Sequence, residues 1–307
     1  MQLTEYTSYN QKHKKRLVFH FGENAGFYSE FNNMVLGIAY CLLHNIRFQM
    51  YSDDAVFRTD KGWNDYFLPF CEEKHCILHH LTNKRANRKK TGRQRVYRVF
   101  NQIFNPHLYL TSDLWYEFRN LDKTLENKAY RLFFPESESL QDVCAEIIGM
   151  IYRFNDSTQK EIDQSIATLN IKGEYVGFHI RGGDKIIEHK LLEVKEYIDT
   201  AEKTTNIRQA YVFTDDYSAF ELLCAEYPQW RFFTLASSDD EGYFHKQFIK
   251  LPVEVRRAKM IYMFSSIELL SQARHNFCTY SSNVGMFLGM RVGDKTHGVD
   301  FEKWFLW

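Results

Sequence analysis

Residues 175–185 read YVGFHIRGGDK. The first six form a short run of aromatic and β-branched residues without a formal charge, which is how a strand buried on both faces reads. Arg181-Gly182-Gly183-Asp184-Lys185 follows at once as a polar, glycine-containing loop. Outward from this point the pattern repeats. A helix is predicted over 194–203, a strand over 210–214 and a helix over 217–227. A strand then follows over 231–235, a long helix over 255–273, a strand over 276–280 and a short helix over 283–290. Strands alternating with helices at this spacing imply βαβ units, a parallel sheet and an α/β fold.

The first half is similar in kind. Segment 16–21 (RLVFHF) is strand-like, 22–26 (GENAG) a loop, and 30–44 a helix carrying Phe31, Met34, Val35, Ile38 and Leu42 on one face. Strands are expected over 46–51 and 130–134, and a helix over 140–152. The polar stretch 155–160 (NDSTQK) offers a boundary, giving an α/β domain at 1–155 and a second at 156–307, as suits 307 residues. No repeat or low-complexity segment interrupts either half.

With 44% apolar and 16% aromatic residues the chain has ample material for buried cores. The 39 basic residues balance 39 acidic ones, which argues against a general nucleic-acid coat. The longest apolar run, 34–43, falls short of the roughly 18 residues of a membrane span. The opening MQLTEYTSYNQKHKKR lacks a signal-peptide pattern, and six dispersed cysteines suit free thiols in a reducing compartment, so a cytoplasmic location is expected. Charge is unevenly spread: residues 74–112 contain no Asp or Glu, and 84–98 hold eight Lys or Arg. Such a run is read as a solvated loop or as a weak docking patch for an anionic acceptor or a membrane surface.

Ligands of doubly wound sheets bind beyond the carboxyl ends of the strands. Three such ends carry polar clusters: His179 to Lys185, Thr214-Asp215-Asp216, and Tyr280-Ser281-Ser282-Asn283. Each also has a plain structural reading. Arg181 and Asp184 can pair across a glycine turn, and Asp216 and Ser281 or Ser282 can cap the helices that follow. Together they suit an anion. A helix start after Ser282 presents amides and a positive dipole end, Gly182 and Gly183 allow close backbone approach, and Arg181 supplies a fork for phosphate oxygens with Lys185 as a further charge. No P-loop, no G-x-G-x-x-G and no Asp-x-Asp occurs. Cys71, His75, Cys76, His79 and His80 cluster in sequence, but the C-x4-C spacing is at the edge of zinc-site usage. Gly285, Gly289 and Gly293 are read as close-packing positions.

The three clusters, in this order, resemble the motif set of the fucosyltransferase superfamily, which includes α1,6-fucosyltransferases of N-glycan cores and nodulation factors and related α1,2 enzymes. The matching positions are His179, Arg181, Asp184 and Lys185; Thr214, Asp215 and Asp216; and Cys278, Thr279, Ser281 and Ser282. Residues 26–48 also resemble the opening loop and helix of that family. The resemblance implies a GT-B-like fold of two Rossmann-like domains facing a cleft, with the acceptor-side domain first and the sugar-nucleotide domain second. It further implies GDP-β-L-fucose as donor, inversion at the anomeric carbon, no metal and no other cofactor. The acceptor would be a hydroxyl of an oligosaccharide or glycoconjugate.

Under that resemblance Arg181 holds the diphosphate, His179 lies near the guanosine, and Ser281, Ser282 and Asn283 form a phosphate-binding turn. Gly182, Gly183, Asp215 and Asp216 complete the donor side. Two departures stand out. Gly182 replaces a second arginine, and Ser266 stands where the family has a guanine-reading Asp, with Glu268 nearby. Inversion needs a base. Glu188 leads, with Asp184, Asp216 and His189 open, while Arg181 and Lys185 stabilise the departing diphosphate. Glu23, Asn24 and Glu30 are expected to orient the acceptor. Another nucleotide sugar on the same fold, or a non-catalytic anion- or glycan-binding protein, are the competing readings.

Overall fold

The computed structural model describes residues 1–23, 25–85, 92–121, 129–182 and 192–306. Asn24, Gly183, Asp184, Lys185, Glu188 and His189 lie outside the described residues. The chain divides into two compact units, Met1–Asn155 and Asp156–Trp307.

The first unit runs α1 (Leu3–Gln11), β1 (Arg16–His20), α2 (Phe27–Leu43), β2 (Arg47–Tyr51), β3 (Glu72–Glu73), α3 (Ile77–Thr82), α4 (Gly92–Phe104), β4 (Leu108–Leu110), α5 (Thr111–Arg119) and α6 (Leu140–Ile151). Its sheet has the order β3-β2-β1-β4, all parallel, with Leu17 beside Phe48 and Val18 beside Leu110. The apolar stripe of α2 packs into an aromatic core. Phe27 and Phe67 stack at 5.6 Å and Trp63 and Phe67 at 4.3 Å. Each such buried ring stabilises the unit by roughly 1.5–3 kcal/mol. The start of α6 is fixed reciprocally: Ser139 Oγ accepts from the Asp142 amide at 3.2 Å and Asp142 Oδ2 accepts from the Ser139 amide at 2.9 Å.

One expected strand is absent. Residues 130–134 do not join the sheet; Ala129–Leu132 is a 3-10 turn. The amides of Phe133 and Phe134 donate to the Tyr130 carbonyl at 2.9 Å each, so these two donors are spent in a local turn instead of a ladder.

The second unit runs α7 (Asp156–Ala167), β5 (Val176–Ile180), α8 (Val194–Thr204), β6 (Gln209–Thr214), α9 (Tyr217–Glu226), β7 (Arg231–Phe233), α10 (His245–Phe248), α11 (Val253–Gln272), β8 (Asn276–Cys278), α12 (Asn283–Val292) and β9 (Thr296–Gly298). The polar stretch after Asn155 is the first turn of α7, which packs along α11 and is tied to it by Arg257 and Glu161. All five strands are parallel in the order β7-β6-β5-β8-β9. Every residue of β5 is buried, and Val176, Phe178 and Ile180 share a core with Tyr197, Val212, Trp230 and Phe277. The C-terminal tail closes onto its own unit: Trp304 Nε1 donates to the Met286 carbonyl at 2.9 Å and its ring covers Gly289. Among the described residues no helix is long and apolar enough to cross a membrane.

Candidate functional site

Strand order in the second sheet reverses beside β5. From it the chain proceeds outward to β6 and β7 on one side, and returns to β8 and β9 on the other. A crevice opens at such a switch point, beyond the carboxyl ends of the strands. The register places Ile180 beside Thr214 and His179 beside Cys278, so the segments leaving β5, β6 and β8 emerge side by side. The described residues of all three polar clusters are thereby brought to the carboxyl ends of neighbouring strands.

Arg181 is the cation of this edge. Its guanidinium pairs with Asp215 and lies over the Tyr243 ring at 5.2 Å. Asp215 is held in turn by the amides of Gly182 at 2.7 Å and Tyr243 at 2.8 Å, and its carbonyl accepts from Gly242 at 2.7 Å. The carboxylate therefore faces inward and acts as an anchor for the arginine and for two loops. Asp216 has the capping role: its Oδ1 accepts from the Ser218 amide at 3.0 Å at the start of α9. Gly182, where the resemblance led to an expected second arginine, is set by a close approach, because a Cβ there would come to 3.0 Å from the Cβ of Asp216.

Ser282 caps α12 by accepting from the Gly285 amide at 2.9 Å, and its hydroxyl donates to the Thr279 carbonyl at 2.8 Å. Asp300 fixes the turn before it, accepting from the amides of Tyr280 at 2.7 Å and Ser281 at 3.0 Å. Asn283 is the first residue of the helix. The amides of a first helical turn have no carbonyl partner within the helix; Ser282 takes that of Gly285, and the turn carries the positive end of the helix dipole.

His179 completes the edge from below. It is 2% exposed, its ring rests against Phe213 at 5.1 Å, and its Nδ1 has no partner among the described residues. Burial, reinforced by the neighbouring Arg181 charge, lowers its pKa to about 3, so the imidazole is neutral. An unpaired nitrogen in a buried ring is costly unless a ligand or water meets it. His79 in the first unit is also neutral, lowered to about 4 chiefly by burial and then by His20 and Lys74.

Both histidines have folded pKa values below the unfolded value of about 6.5, so below that pH the unfolded chain takes up protons that the folded chain refuses. Stability is fully present above about pH 6.5 and is lost as pH falls toward about 4 and 3. The expected result is a urea midpoint that declines steadily across this window, with a shallower slope in His179→Gln. A midpoint independent of pH between 6.5 and 4 in the wild type would contradict the neutral-histidine assignment.

Other expected site residues are engaged elsewhere. Ser266 is fully buried on α11; its hydroxyl bonds the Tyr211 hydroxyl at 2.7 Å and the Tyr262 carbonyl at 2.8 Å. That is the placement of a packing residue, and its polar capacity is spent inside the unit. Glu268 pairs with Arg291 at 2.8 Å. In the first unit Glu30 is fully buried against the Arg85 guanidinium, which stacks over Trp115 at 5.1 Å. Glu23 is nearly buried and accepts from the Arg85 amide at 3.0 Å. Both carboxylates thus serve to tie the segment after α3 to the loop and helix that follow β1. Asn83, fully buried, reinforces this by donating to the Val18 carbonyl at 2.7 Å and accepting from the Thr111 amide at 2.8 Å.

The first unit offers a different polar hollow. A cavity of about 260 Å³ at the carboxyl end of β2 is lined by Tyr51, Asp53, Asp54, Arg58, His75, Ile77 and His80. Burial works to raise the Asp54 pKa, but His20 at 2.7 Å and His80 overcome it and hold the carboxyl at about 2. His75 pairs with Asp53 at 2.8 Å. His75 and His80 of the Cys/His cluster are thus each engaged by a separate carboxylate. Among the described residues no group of three or more His, Cys, Asp or Glu is placed to hold a metal ion.

Sequence reasoning missed Tyr243, Asp300, Asp53 and Asp54. Only the Asp-Asp pair directly after a strand carried a signal of the kind used elsewhere; Tyr243 and Asp300 reach the site from loops without a motif.

Among solved structures, the chain is similar to the NodZ alpha-1,6-fucosyltransferase soaked with GDP-fucose, at 10% identity over 91% of this chain and 92% of that one, with a TM-score of 0.54. It is also similar to a mutant of Arabidopsis thaliana FUT1 in complex with GDP, at 10% identity over 91% and 68% of the two chains, with a TM-score of 0.56. The fucosyltransferase NodZ from Bradyrhizobium gives a TM-score of 0.53 at 10% identity, over 91% and 92% of the two chains. At this identity the likeness establishes the fold, a GT-B-like pair of Rossmann-like units. The family described as alpha-(1,6)-fucosyltransferase N- and catalytic domains matches residues 37–289, a span that runs from within α2 through β2 to β8 and contains all three polar strand ends, and the chain belongs to that family of glycosyltransferases.

Proposed function

We propose that this protein transfers L-fucose from GDP-β-L-fucose to a hydroxyl of a glycan or glycoconjugate, with inversion and without a metal cofactor. The observation that carries the reading is the convergence, at one switch point, of Arg181, the amino end of α12 and the unpaired Nδ1 of His179. The second unit is the donor side and the first the acceptor side. The GDP and GDP-fucose held by the structural relatives support the same donor here.

In the proposed reaction the acceptor oxygen forms a bond to the fucose anomeric carbon as the bond from that carbon to the β-phosphate oxygen breaks. GDP departs with the electron pair, and the acceptor proton passes to a base. Arg181 and the helix-end amides meet the charge that grows on the diphosphate, with Lys185 as a further cation. Fixed donors of this kind act most strongly where water is excluded. Glu188 is the proposed base, with Asp184, four residues earlier, Asp216 and His189 as the alternatives. Ser281, Ser282 and Asn283 form the phosphate turn, Asp215 positions Arg181, and His179 faces the nucleoside. Free cysteines throughout the chain support work in a reducing compartment such as the cytoplasm.

A second reading keeps the fold and changes the nucleotide, because Ser266, the position of the family's guanine-reading acid, is buried and internally satisfied. A panel of nucleotide sugars separates the two. The expected outcome is turnover of GDP-fucose that EDTA does not reduce. Turnover of UDP- or ADP-sugars with none of GDP-fucose would establish the second reading and sink the first.

A further inference from the structure

The helix α4 is mounted with its apolar side outward. Val96, Val99, Phe100, Ile103 and Phe104 recur at helical spacing and form one stripe, and all five are between 54% and 71% exposed. Phe100 and Phe104 stack on each other at 5.9 Å rather than on the unit's core. The helix is fastened to its own unit by its polar side. Asn101 is buried and its amide donates to the Leu108 carbonyl at 3.3 Å, while Arg98 pairs with Asp113 at 2.8 Å. Next to it α3, which packs against α4, exposes Ile77 and Leu81. Single exposed apolar residues are ordinary on any protein; a continuous face of this kind marks a surface that meets something apolar.

Charge identifies what that is. The sequence from 74 to 112 contains no Asp or Glu, and Arg95 stands exposed on the helix itself. Pressing two copies of this face together would juxtapose like charges with no acid from the same segment to answer them. An acidic lipid surface satisfies both demands at once, because acyl chains receive the stripe and anionic headgroups answer the exposed Arg95 and the net basic sequence of the segment. We infer that α4 is a peripheral docking helix that seats the first unit on a bilayer containing acidic phospholipids.

The test uses the full chain and its Phe100→Ser/Phe104→Ser variant, sedimented with vesicles of phosphatidylcholine alone or with phosphatidylserine added. Both positions are exposed, so the variant should unfold at the wild-type temperature, which confirms that it is folded. The expected result is binding to the acidic vesicles only, weakened by salt and reduced about tenfold or more in the variant. Equal binding to neutral vesicles, no vesicle binding by folded wild type, or wild-type binding by the variant would each overturn the inference. So would capture of polyglutamate in preference to vesicles, or a dimer that the substitutions dissolve, since these would assign the face to an acidic polypeptide or to a second copy.

Discussion

Arg181→Ala is expected to abolish detectable GDP binding and to lower transfer from GDP-fucose by about a hundred- to a thousandfold, in a protein that still folds. The guanidinium is fixed before any ligand arrives, by Asp215 beneath it and the Tyr243 ring beside it. A donor already oriented costs no reorganisation when charge develops on the diphosphate. Its removal does not leave Asp215 without partners, because the Gly182 and Tyr243 amides still donate to it at 2.7 and 2.8 Å. The stability cost should therefore stay near about 1–3 kcal/mol. Arg181→Lys keeps the charge and loses the planar fork, so an intermediate affinity is expected. Calorimetric titration with GDP and turnover, measured on both variants with their melting temperatures, checks the assignment. Wild-type GDP affinity in a folded Arg181→Ala protein would remove the diphosphate role from this residue.

The second sheet was legible because buried parallel strands announce themselves as short apolar runs, and because the candidate site is placed by topology once they are ordered. Arg181, Ser282 and His179 stand at strand ends, where position along the chain already fixes position in space. Ser266 and Glu30 show where that logic stops. Each sits within a helix, and whether a helical side chain faces a ligand or its own core depends on what packs against it. Tyr211 took the hydroxyl of Ser266, and Arg85, some fifty residues further along the chain, took the carboxylate of Glu30. Such long-range partners leave no local trace in sequence. The same holds for Asp300, whose two bonds to the turn before α12 depend on how the chain returns after β9. The basic run 84–98 was visible as charge, whereas the exposure of the apolar residues Val96, Val99, Phe100, Ile103 and Phe104 on α4 emerges only from the folded chain.

Three glycines in helices give a graded test of the proposed phosphate turn, because the same substitution should act differently at each. Gly285→Ala is expected to be the most damaging. A Cβ there would overlap the Thr279 carbonyl oxygen and lie 2.8 Å from the Thr279 carbonyl carbon and 3.1 Å from Ser282 Oγ. These are backbone and cap atoms, and the same carbonyl accepts from both the Ser282 amide at 3.1 Å and the Ser282 hydroxyl at 2.8 Å. The turn would have to move away from the helix it caps. Overpacking of this kind costs about 1–3 kcal/mol or more, although alanine by itself favours a helix over glycine by about 1 kcal/mol. A lower melting temperature together with weaker GDP binding is the expected pair of results. At Gly289 the added methyl would meet the Trp304 ring, a side chain on the C-terminal tail that can swing aside. Gly289→Ala should therefore shift tryptophan emission to the red and leave GDP affinity nearly intact. At Gly149 in α6 nothing lies within 4 Å of the new Cβ, so Gly149→Ala should stabilise the chain by about 0.4–1 kcal/mol. The comparison separates helix propensity from crowding. If Gly285→Ala raised the melting temperature as Gly149→Ala does and kept full GDP affinity, the tight packing of the turn on α12 would not be what shapes the phosphate site.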